Sequence, residues 1–67
     1  MIIYKKMPGI QRRREELGLS APGLAKALGV TKQAWYMWEH GDTVPSAAYL
    51  PAMADLLQCS IEDLYRE

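Results

Sequence analysis

Three features of the 67-residue chain predict a compact all-α fold of five short helices. Helix-starting and helix-closing residues recur in pairs: Pro8 with Gly18, Ser20 with Gly29, Thr31 with Gly41. Between them, apolar residues return every three or four positions, as on one buried helix face. Hydrophobic residues make up 49% of the chain, enough for one core in a domain of this size. A chain this short buries only about 60% of its unfolded surface, so its stability is marginal.

The elements follow in order. Residues 1–7 form an N-terminal arm, with Ile2, Ile3 and Tyr4 as a short strand or a segment lying on the body. Pro8 suits a first helical turn, where its missing N–H costs nothing. The first helix runs from about Pro8 to Leu17, with Ile10, Arg14 and Leu17 on one face. Arg14 is the exception in the run Arg12-Arg13-Arg14, since it sits between apolar residues on the inward side. Ser20 caps a second helix from Ala21 to Leu28, whose start is softened by Gly23, a residue costing up to about 1 kcal/mol in a helix interior. Thr31 caps a third, which Gly41 closes in the left-handed conformation. Residues 42–46 are a loop, and Pro51 keeps 46–49 from being more than a turn. A fourth helix runs from about Leu50 to Gln58 with Leu50, Met53, Ala54 and Leu57 inward. Ser60 and Asp63 resemble a capping box opening a fifth helix that bears Ile61, Leu64 and Tyr65.

The third helix has two unlike faces. At about 100° per residue, Trp35, Trp38 and Glu39 fall on one side and Gln33, Tyr36, Met37 and His40 on the other. The indoles must be buried, which leaves a short polar and aromatic front for solvent or a partner.

The net charge is zero, but its distribution is uneven. Residues 1–38 hold seven basic side chains against Glu15 and Glu16, or +5. Residues 39–67 hold Arg66 against six acids, or −5. Such asymmetry suggests one basic face. A single cysteine, Cys59, allows no intramolecular disulfide and points to an intracellular protein. No stretch suits a signal peptide or a membrane span. His40 is the sole histidine. A Cys–His nucleophile pair would need an orienting third group, and structural zinc wants about four His or Cys ligands. No enzyme activity, cofactor, metal or small-molecule ligand is therefore expected.

Residues 21–41 line up as helix, turn, helix. Ala25 is small where two helices would cross closely, and Gly29 supplies the turn. This stretch resembles the helix-turn-helix of the lambda-repressor-like (Cro-like) regulators. Leu-Gly-Leu-Ser at 17–20, Leu-Ala at 24–25, Leu-Gly-Val at 28–30, Trp-Glu-x-Gly at 38–41, Pro-Ser at 45–46 and Ser-Ile-Glu-Asp-Leu at 60–64 all match. The resemblance implies a bacterial or phage-encoded cytoplasmic repressor that binds double-stranded DNA as a homodimer. It implies that the third helix enters the major groove, with Lys32, Gln33, Tyr36 and Met37 reading base edges. Lys5, Lys6, Arg12, Arg13, Lys26 and Thr31 would contact phosphates, and Arg14 would pair with Glu39. The dimer contact would involve Leu64 and Tyr65, the loop after Gly41, or the arm at Ile2 and Ile3.

Three positions depart from that pattern. Ala21 stands where the family usually has a phosphate-gripping Gln, Trp35 where it has Ile or Val, and His40 where Asn is common. Loss of the Gln and the zero net charge support an alternative, a protein-interaction module on the same scaffold, antitoxin-like or anti-repressor. Tyr36, Met37 and the tryptophans would then form its docking patch.

Overall fold

The computed structural model describes residues 7–66, so Lys5, Lys6 and most of the expected arm lie outside the described residues. Among these residues there are four α-helices, two 3-10 turns and no strand. The helices are α1 (Pro8–Glu16), α2 (Ala21–Leu28), α3 (Lys32–His40) and α4 (Leu50–Leu56). One 3-10 turn, Ala47–Tyr49, leads into α4, so Pro51 falls in the first turn of that helix, where its missing N–H costs nothing.

The fifth helix expected near the C-terminus is instead the second 3-10 turn, Glu62–Leu64. Ser60 and Asp63 do cap each other, with both N–H to side-chain oxygen distances at 3.2 Å. The bonds that follow span three residues, from Leu64 N–H to the Ile61 carbonyl and from Tyr65 N–H to that of Glu62. A single turn gains too few bonds to offset helix nucleation, so packing decides its shape. Leu64 is fully buried and pins it. The Ser60 hydrogen bonds hold the Asp63 carboxyl below its usual pKa.

All four α-helices end in the same way. After each, one residue turns left-handed: Gly18, Gly29, Gly41 and Gln58. The next N–H then reaches back five residues, as from Leu19 to the Arg14 carbonyl and from Cys59 to that of Ala54. Three of the four endings use glycine, which adopts this conformation without penalty. Gln58, at φ 54°, does not, and it ends α4 earlier than the apolar stripe suggests. Gln58→Gly is expected to raise stability by about 1 kcal/mol, a gain in Tm readable by thermal denaturation.

The core is built where the helices converge. Ile10, Trp35, Met53, Leu57 and Leu64 have essentially no exposed surface. Ala25 on α2 is also buried, and α2 and α3 make the most extensive helix–helix contact among the described residues. Trp35, Trp38 and Tyr49 form a ladder with ring centroids 5.8 and 5.9 Å apart. It carries the core from α3 to the 3-10 turn before α4. No described helix is long and apolar enough to cross a membrane.

Candidate nucleic-acid interface

The exposed front of α3 depends on how firmly its back is held. Its first turn is capped by Thr31, whose Oγ1 accepts from Ala34 N–H at 3.1 Å. Its last turn closes through Gly41. Trp35 and Trp38 anchor its inner side. Glu39, on the same side, ties it to α1. Arg14 Nε donates to Glu39 Oε2 at 2.6 Å and Arg14 Nη2 donates to Oε1 at 3.0 Å. This is the paired-fork geometry that fixes a carboxylate in position as well as neutralising it. Trp35 Nε1 donates to the same Oε2 at 2.6 Å. The Glu39 side chain is only 5% exposed and that of Arg14 17%. The hydrogen bond to Glu39, opposed by desolvation, raises the Arg14 pKa.

With the back held, the front presents Lys32, Gln33, Tyr36 and Met37, all exposed. Tyr36 and Met37 are 40% and 41% exposed, high for large apolar side chains on an otherwise well-packed helix. His40 is exposed at the C-terminal end of the same helix, and Lys26 is exposed on α2.

The other expected phosphate contacts are placed differently. Arg13 reaches the C-terminal end of α4, where Nε donates to the Leu57 carbonyl and Nη2 to that of Gln58, both at 3.1 Å. Its Nη1 pairs with Glu16 at 2.9 Å. Unpaired carbonyls at a helix end attract a cation, and Arg13 serves α4 in that way. Three of its five N–H donors are thus engaged within the fold, which leaves two for a phosphate. Arg12 turns toward the C-terminal 3-10 turn, with Nη2 3.5 Å from the Asp63 carbonyl.

The start of α2 is also a poor anion cradle. Pro22 has no N–H, and that of Gly23 is held by Ser20 Oγ at 3.0 Å. Ala21, where a phosphate-gripping side chain was missed in the sequence, is buried. Leu64, expected at a dimer contact, is in the core. Val44 in the loop after α3 and Ile61 are the exposed apolar residues nearest those expectations, at 51% and 39%. Cys59 is half-buried and free, and its burial pushes the thiol pKa up.

A Helix-turn-helix domain family matches residues 10–66, which takes in α1 from Ile10 onward and the whole of α2, α3 and α4. The chain belongs to this family. Among curated proteins, this helix-turn-helix chain is 35% identical over 57 residues to repressor protein C2 of Salmonella phage P22. The match covers 85% of this chain and 26% of that protein. It is 39% identical over 51 residues to the HTH-type transcriptional regulator DicA of Escherichia coli K12, covering 76% of this chain and 38% of that protein. The chain thus spans between a quarter and two fifths of the length of these relatives. No solved structure matches it significantly.

Proposed function

We propose that this helix-turn-helix chain binds double-stranded DNA in a sequence-dependent way and acts as a transcriptional repressor, with residues 21–41 as the binding motif. The observation that carries the reading is the asymmetry of α3. Its back is fixed by Trp35, Trp38 and the Arg14–Glu39 pair, while its N-terminal front offers Lys32 and Gln33 to solvent. A helix held in this way can be carried into a major groove as a rigid probe. The names of both relatives, a repressor and a transcriptional regulator, agree with the reading.

In this arrangement the Gln33 amide offers a donor and an acceptor to the N6 and N7 edge of adenine, and Lys32 donates to guanine O6 or N7. Tyr36 and Met37 contact a thymine methyl or the groove wall. Lys26 and Thr31 contact phosphates beside them. Two copies would bind half-sites about 34 Å apart, one turn of DNA, with Val44 and Ile61 as candidates for the contact between copies. No catalytic step is part of this function.

The test is Gln33→Ala. It is expected to lose about 1–3 kcal/mol on a selected preferred site, relax preference at one base pair, and leave Tm nearly unchanged. Equal loss on preferred and random duplexes would give Gln33 a positioning role only. No loss on either would favour the protein-interaction reading, which the exposure of Tyr36 and Met37 supports.

A further inference from the structure

Glu39 is held from two directions, and the two holds do different work. Arg14 fixes the carboxylate relative to α1. An ion pair alone does not fix it relative to α3, because the Glu39 side chain has several rotamers through which α3 could turn while keeping the pair. The Trp35 indole removes that freedom. It lies four residues earlier on the same helix, has no exposed surface, and is braced by the Trp38 ring at 5.8 Å. Its Nε1 is 2.6 Å from the oxygen that also accepts from Arg14 Nε. We propose that the Trp35 N–H is a positioning donor: it locks the Glu39 carboxylate to the frame of α3 and thereby sets the angle at which α3 sits on α1.

The consequence for recognition rests on the DNA-binding reading above. Side chains 32, 33, 36 and 37 then meet a groove at an orientation set by this bond, and base discrimination depends on a buried residue that touches no base. Non-specific attraction to phosphates does not depend on that angle.

The test replaces Trp35 with 3-benzothienylalanine, in which sulfur takes the place of the indole N–H in a ring of nearly the same shape. Amide hydrogen exchange and residual dipolar couplings are then read helix by helix in the full chain without DNA. A hydrogen bond to a charged group governs local opening, so α3 amides are expected to exchange about tenfold faster or more while those of α2 and α4 hold. The couplings should show α3 reoriented on α1. If all helices exchange faster by one common factor, Trp35 contributes packing only and the proposal is overturned. Unchanged exchange and couplings overturn it as well. On DNA, the ratio of preferred to random binding is expected to fall by about the same factor, with random binding retained. A parent chain that discriminates no DNA would overturn the DNA reading, and the free-protein measurements would still decide the role of Trp35.

Discussion

Glu39→Ala is expected to cost about 3–5 kcal/mol of folding stability, the cost of breaking a buried ion pair by removing one partner. The reason lies in what stays behind. Arg14 keeps its charge with little access to water, and the buried Trp35 N–H loses its acceptor. At roughly 0.05–0.15 kcal/mol per residue, the whole domain has only about 3–10 kcal/mol, so the variant would lose a large share of its stability. Urea denaturation followed by circular dichroism reads the loss directly. A variant melting within a degree or two of the parent would show that water reaches the pair freely and that α3 is held by the indoles alone.

Gly9→Ala is expected to have the second large effect, through backbone rather than charge. Gly9 lies on α1 where the C-terminal 3-10 turn crosses it. A Cβ placed there would run into the Asp63 carbonyl oxygen and come within 2.8 Å of the Leu64 Cα. Both neighbours are backbone, which cannot swing aside. Forcing atoms into a packed core typically costs about 1–3 kcal/mol and more where rigid groups must shift. The turn would have to lift, withdrawing Leu64 from the core. A fall in Tm with loss of the packing around Leu64 in side-chain NMR spectra would show it. Full retention of both would mean that the turn is not seated on α1.

The contrast between these two sites shows what the residues make legible. Ser20, Thr31, Gly18, Gly29 and Gly41 act through bonds to their near neighbours, so the bounds of α2 and α3 follow from residue type. Trp35 and Trp38 follow from helical spacing alone. Gly9 does not. Its contact is 54 residues away, and on its own helix it looks like a weak position rather than a crossing point. Arg13 reads as a charge free for phosphate because the carbonyls it serves, of Leu57 and Gln58, lie 44 and 45 residues away where α4 closes. Leu64 reads as a free apolar face because the helix expected to carry it is a single turn driven into the core. Gln58 closes α4 without the glycine that marks the other three ends. Each of these depends on a long-range contact, or on a backbone conformation that residue type does not announce.

For the candidate interface, the same logic narrows the basic face. With most of Arg13 engaged at the end of α4 and Arg12 turned toward the C-terminal segment, Lys26 and Lys32 are the exposed basic side chains of the motif left, among the described residues, to meet phosphate. Each phosphate neutralised contributes about −0.9 to the slope of log affinity against log salt. The decisive measurement is a salt titration of binding to a duplex selected from a random pool. An enriched sequence and a shallow slope, on the order of −2 to −4 per half-site, are expected. A slope near zero with measurable binding, or a selection that enriches no sequence, would contradict it.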